Sequence, residues 1–169
     1  MQRAAPELPY LEWRVARGAL VAIGLVILAA CGSTGFALTG ATVDGTYTCA
    51  VGSANTQYDL HTKISADNST SKSVDVQSID AVLVVSAVHG QWQQAVGTRY
   101  DAGKVPFAPR SVGAGSKATV TATIPSACTN AQHQGTSDDY ADYSIQLTVV
   151  TSAGTFHLTS QNKHRIVAP

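Results

Sequence analysis

Tyr143-Ser144-Ile145-Gln146-Leu147-Thr148-Val149 is the stretch that decides the fold of this 169-residue chain. Apolar Tyr143, Ile145, Leu147 and Val149 alternate with polar Ser144, Gln146 and Thr148. A period of two sends successive side chains to opposite faces of a strand, so one face is buried and the other wet. Thr151-Ser152-Ala153-Gly154 then turns the chain and Phe156 and Leu158 bring it back, which predicts a β-hairpin.

The same alternation recurs upstream. Tyr58, Leu60, Thr62, Ile64 and Ala66 alternate with Gln57, Asp59, His61, Lys63 and Ser65. The polar run from Asp67 to Lys72 ends that strand in a turn. Ala118, Val120, Ala122 and Ile124 repeat the pattern against Lys117, Thr119, Thr121 and Thr123. Between Ser73 and Val88 the apolar parity changes, from Val74 and Val76 to Ile79, Ala81, Leu83 and Val85, so two strands or a bulge near Ser78 are expected. Glycines and prolines break up Gly90 to Gly115, which predicts loops and short edge strands. His164 to Val167 is expected as a last edge strand. From Thr42 onward no stretch has the i, i+3, i+4, i+7 spacing of a surface helix, and about seven short strands separated by turns predict an all-β sandwich over residues 42–169.

Asp139-Tyr140-Ala141-Asp142-Tyr143-Ser144-Ile145 resembles the immunoglobulin strand-F pattern Asp-x-Ala-x-Tyr-x-Cys, with Ile145 where the cysteine would stand. The resemblance implies an immunoglobulin-like β-sandwich in which Tyr143 is the tyrosine-corner residue, its hydroxyl bonded to nearby backbone, and in which the usual intersheet bridge is missing. Asp44-Gly45-Thr46-Tyr47-Thr48-Cys49 resembles the same pattern but comes too early for five strands to precede it, so it is expected as an early strand.

At the other end of the chain, Arg14 and Arg17 precede the apolar run Ala19 to Ala30, which ends in Leu28-Ala29-Ala30-Cys31. A basic segment, an apolar segment and two small residues before a cysteine have the order of a secretion signal. This leader resembles that of bacterial lipoproteins. The resemblance implies cleavage after residue 30, a diacylglycerol on the Cys31 sulfur, and a protein anchored to the cell membrane on its extracytoplasmic face. An uncleaved anchor is the weaker alternative, since a spanning helix needs about 20 apolar residues, whereas two acyl chains suffice for stable anchoring. The segment 31–41, small and uncharged, reads as a tether, with Phe36 and Leu38 already capable of packing as an edge strand.

Downstream of residue 30 the chain carries eight basic and nine acidic residues. That balance argues against a nucleic-acid partner, which requires a clustered basic surface. With Cys31 assigned to lipid, Cys49 and Cys128 remain as an even pair in a chain read as exported, and a disulfide between them is expected.

Catalytic signatures are sparse. There is no Gly-x-Ser-x-Gly elbow, His-Glu-x-x-His pair, Cys-x-x-Cys or Walker loop. Gly113-Ala114-Gly115 precedes an alternating strand rather than a helix, and Ser69-Thr70-Ser71-Lys72 reads as a turn. His61, His89, His133, His157 and His164 lack metal-ligand spacing, and His61 and His157 fall on exposed parities. Asp138, Asp139 and Asp142 cluster in sequence and form a candidate calcium site. Beyond the lipid and that possible calcium, no cofactor is expected. Trp92 is a packing residue or, failing that, a ligand contact. The reading is therefore a non-enzymatic lipoprotein acting through contacts with another envelope protein or as an accessory subunit. A small-ligand or carbohydrate binder using Trp92 is the alternative, and a hydrolase with a dispersed triad the more distant one.

Overall fold

The computed structural model describes residues 35–51, 55–128 and 139–168. The expected leader, Cys31, His133 and Asp138 lie outside them. The described residues form β1 (Phe36–Val43), β2 (Thr46–Thr48), β3 (Thr56–Asn68), β4 (Val74–His89), β5 (Arg99–Lys104), β6 (Phe107–Ala108), β7 (Ser111–Val112), β8 (Ser116–Cys128), β9 (Asp139–Thr151), β10 (Gly154–Thr159) and β11 (His164–Ala168). One sheet has the order β1-β3-β8-β6. The other runs β2-β11-β9-β4-β5, with β10 also paired to β9 and β7 to β4. The all-β sandwich is thus the architecture found. Its strand segments exceed the expected seven because β2, β6 and β7 are short pieces at the margins.

Alternation builds the core directly. Leu60, Thr62, Ile64 and Ala66 of β3 and Val120, Ala122 and Ile124 of β8 are buried on one sheet, held in register from Thr56↔Cys128 to Asn68↔Ser116. Ala141, Tyr143, Ile145, Leu147 and Val149 of β9 face them from the other. The expected hairpin forms, with Gly154 opposite Thr151. β4 is one strand whose register slips between Val76 and Ser78 and again between Val85 and Ala87. The first slip is the bulge that lets Val76 and Ile79 both point inward.

Two expectations need correction. Residues 36–41 are not tether: β1 begins at Phe36, pairs with β3, buries Ala41 and packs Phe36 edge-on against Phe156 with ring centroids 5.5 Å apart. The edge-strand reading of Phe36 and Leu38 holds, because the apolar positions match the partner strand. Nor is β11 an edge. β2 pairs with it in parallel on its far side, so it lies between β2 and β9.

The sheet margins are blunted. The N–H of Gln161 donates to the Ala41 carbonyl, while the Asn162 side chain accepts from the Val43 N–H at 2.9 Å and donates to the Val43 carbonyl at 2.7 Å. A side-chain amide thus stands in for a strand against β1. β5 is bulged where Gly103 takes a φ of +63°, and Pro106 and Pro109 bracket β6. Such devices discourage edge-to-edge pairing.

Cys49, just after β2, and Cys128, the last residue of β8, are joined by a disulfide, with Cα atoms 5.9 Å apart across 79 residues of sequence. The expected pairing is correct, and it links the two sheets. Both cysteines are buried, and the backbone on either side is bonded in: Cys49 N–H to the Val167 carbonyl and Asn55 N–H to the Cys128 carbonyl.

Two measurements follow from this packing. Replacing both cysteines by alanine should lower unfolding stability by up to about 4–5 kcal/mol, the chain-entropy value for a loop of this length, read as a shift in denaturant midpoint. Thr62→Val should raise stability by about 1 kcal/mol, because the fully buried Thr62 hydroxyl has no hydrogen-bond partner among the described residues.

Candidate functional site: a tyrosine-lined cleft

After β5 the chain crosses from one sheet to the other. The Val105 N–H donates to the Ile79 carbonyl of β4, and the Thr123 N–H of β8 donates to the Pro106 carbonyl. This crossing closes the flank of the sandwich locally. Further along, Tyr100–Ala102 of β5 and Pro125–Ala127 of β8 are not neighbours in either sheet, and a cleft of about 400 Å³ opens between them. Leu83, Tyr143 and Ile166 form its floor on one sheet, and Tyr58 its wall on the other.

Alternation places these side chains. Tyr58 shares the inward parity of Leu60 on β3, and Tyr100 sits opposite inward-facing Leu83. Tyr58 is fixed from behind by stacking on Tyr47, with centroids 3.8 Å apart and planes 5° apart. Its hydroxyl lies 2.7 Å from His164 Nε2, and His164 Nδ1 lies 2.9 Å from the Asp44 backbone carbonyl. A carbonyl only accepts, so Nδ1 carries the proton, Nε2 accepts, and the Tyr58 O–H donates to it. Asp44 also takes the His61 N–H and ring Nδ1 on its carboxylate, each at 2.9 Å.

Burial sets the protonation states. It pushes the Tyr58 phenol up to about 12 against the opposing effect of the Ser126 hydroxyl. It pushes Tyr143 up to about 12 as well, against the effect of Trp92. His164, 1% exposed, is driven below its ordinary 6.5 by the same burial, opposed by its bonds to the backbone at Asp44 and Gly45. Neutral phenols and a neutral imidazole therefore line and underlie the cleft near neutral pH.

The sequence-predicted residues fall elsewhere. Trp92 is half-buried against the core, its indole N–H turned toward the Tyr143 hydroxyl without a hydrogen bond of ordinary geometry. This is the packing role. Of the candidate calcium carboxylates, Asp139 and Asp142 are among the described residues, and these two do not converge. Asp139 and Asp142 stand on opposite faces of β9, because they are three positions apart. Asp139 is buried, its Oδ1 accepting the Gln91 N–H at 3.0 Å and pressed against Gly90 (φ +71°), where any Cβ would collide with it. Asp142 is gripped twice by Arg165, at 2.7 and 2.9 Å, and that guanidinium lies 3.9 Å over the Tyr140 ring. Among the described residues no three His, Cys, Asp or Glu form a metal-binding group. His61 and His157 are exposed as expected. His164 and the three cleft tyrosines were not singled out as site residues; the residues from Tyr58 to His164 are far apart in sequence, and no local pattern joins them.

No protein-family model matches this sequence, and no curated protein matches it. Among solved structures, the sporulation control protein Spo0M of Bacillus subtilis is similar at 10% identity with a TM-score of 0.37; the alignment covers 78% of this chain and 51% of that one, so this chain spans about half of Spo0M. A PapD-like domain of human CEP192 aligns at 9% identity and TM-score 0.32, covering 78% of this chain and 87% of that one. A putative late embryogenesis abundant protein aligns at 18% identity and TM-score 0.38, covering 76% and 70%.

The unfolded chain accepts a proton on His164 near its ordinary 6.5 while the folded chain resists it. The unfolded state therefore gains protons first, so the His164 contribution is complete above pH 6.5 and is lost as pH falls below it. Thermal melts should show a fall in Tm on acidification that is steeper in the native chain than in His164→Gln.

Proposed function

We propose that this chain is a lipid-anchored protein of the extracytoplasmic face of a cell membrane, working by contact rather than catalysis, with another envelope protein as its partner. The Cys49–Cys128 bridge carries the reading. Such bonds persist in oxidising compartments, and the leader ending Leu28-Ala29-Ala30-Cys31 supplies both a route there and a site for lipid. The blunted sheet margins favour contact through side chains over strand addition to an open edge.

A second reading, binding of a small ligand, is favoured by one observation: the cleft, whose volume falls in the range of small-molecule sites, roughly 300–1,000 Å³. Its location is the β5–β8 flank, not Trp92.

Cys31→Ser tests the anchored reading. The native chain should fractionate with membranes and carry diacylglycerol, and the variant should lose the lipid and leave the membrane pellet. Identical fractionation of the two chains, with no lipid on either, would contradict it.

A further inference from the structure

We propose that the cleft between β5 and β8 takes an uncharged aromatic molecule bearing a carbonyl oxygen, its ring resting among Tyr58, Leu83 and Ile166 and its oxygen received by the Tyr143 O–H. The inference rests on the small-ligand reading and names the ligand's chemistry.

The side chains that turn into the cleft carry no charge. Tyr58 has the inward parity of Leu60, Ser126 stands opposite Tyr58 in the β3–β8 ladder, and Tyr100 stands opposite Leu83. Tyr143 and Ile166 complete the floor. Asp59 and Asp101 border the cleft as well, but each follows its tyrosine by one residue, so the strand turns both carboxylates to its outer face. The Asp101 carboxylate also accepts the Gly103 N–H at 2.8 Å. A charged ligand would give up water here without meeting an opposite charge, a cost that falls on either sign.

The hydrogen-bond roles of the phenols say what an uncharged ligand should offer. Burial keeps Tyr58 and Tyr143 protonated, so each has one proton to place. Tyr58 gives its proton to His164 Nε2 at 2.7 Å, and the Ser126 hydroxyl approaches its oxygen. It therefore offers the cleft its ring. Tyr143, 3% exposed yet part of the floor, is placed differently: the Trp92 indole N–H faces its oxygen. An indole N–H only donates, so the Tyr143 proton is left for a ligand. The Trp92 nitrogen is itself buried without a partner. Donors gather at that end of the floor, and an acceptor such as a carbonyl oxygen answers them without bringing charge.

The shape of the cleft favours a ring. Tyrosines from β3, β5 and β9 border it, and Tyr143 lies near enough to Tyr58 and Tyr100 to feel both. The stack on Tyr47, which is not part of the lining, holds Tyr58 in place. Offset or edge-on contact between rings stabilises beyond the area buried. A volume of about 400 Å³ accommodates such a molecule.

The test uses the full chain in detergent micelles, with backbone resonances followed during titration and a protein-free sample measuring uptake of each probe by detergent. Acetophenone is compared with benzoate, benzylamine and cyclohexyl methyl ketone, which change its charge or its ring. Acetophenone should shift resonances around Leu83, Tyr143 and Ile166. The two ions should bind at least tenfold more weakly, and the cyclohexyl ketone several-fold more weakly. Tyr143→Phe keeps the ring and removes the O–H; it should lose about tenfold for acetophenone with little change in melting temperature, because the Trp92 N–H makes no ordinary hydrogen bond there. Tyr100→Ala, at a position 39% exposed, gives a second weakened variant that retains the core.

Benzoate or benzylamine binding as tightly as acetophenone would overturn the uncharged assignment and leave the cleft as a ligand site of other chemistry. Equal binding of the cyclohexyl ketone would overturn the aromatic part, and an unchanged affinity in Tyr143→Phe the placing of the carbonyl. If neither these probes nor a mixed fragment library moves the cleft resonances, the small-ligand reading falls too.

Discussion

Two sheets of unequal width must stay face to face in this protein, and the Cys49–Cys128 bond is the covalent link that holds them at one end. Apolar burial is non-directional and would tolerate some sliding of one sheet over the other. The bond fixes the end of β2 against the end of β8, and the groups nearby depend on that alignment. Tyr47 of β2 stacks on Tyr58 of β3, and Tyr58 reaches His164 of β11, back on the first side. A covalent bridge, a ring stack and a hydrogen bond therefore cross between the sheets in the same region. Beside the His164–Asp44 contact, Gln161 and Asn162 secure β1 through hydrogen bonds alone.

Much of this architecture was legible in the sequence, for a definite physical reason. Where a strand buries one face, the period of two is written into the side chains, as it is at Leu60–Ala66, Ala118–Ile124 and Tyr143–Val149. The parity change between Val76 and Ile79 announced the bulge that the register shows. The even cysteine pair announced the disulfide. Less visible were features that depend on pairing between distant segments. β11 looked like an edge because nothing local reveals that Thr46–Thr48 will lie beside it. Residues 36–41 looked like tether because small residues such as Gly40 and Ala41 are compatible with either state until β3 is there to pair with them.

The site was harder to read than the fold. Aspartates close in sequence suggested a cation site, but a strand sends Asp139 and Asp142 to opposite faces, where Asp139 Oδ1 accepts the Gln91 N–H beneath Gly90 and Asp142 is held by Arg165. Trp92 drew notice as the sole tryptophan after the leader, and it packs. The cleft is built instead from residues ordinary in isolation, two tyrosines on inward parities and a third on a short edge strand. What makes them a site is the place where the chain crosses between sheets at Val105 and Pro106, closing one part of the flank and leaving the next part open.

The proposed function puts a lipid on the Cys31 sulfur and the disulfide-linked sandwich in an oxidising compartment. The intact mass of the chain purified from its native membrane, recorded before and after reduction and alkylation, bears on both at once. A polypeptide beginning at Cys31, carrying diacylglycerol and gaining two alkyl groups only after reduction, is the predicted result. A chain beginning at Met1, without lipid and with its thiols open to alkylation from the start, would contradict it.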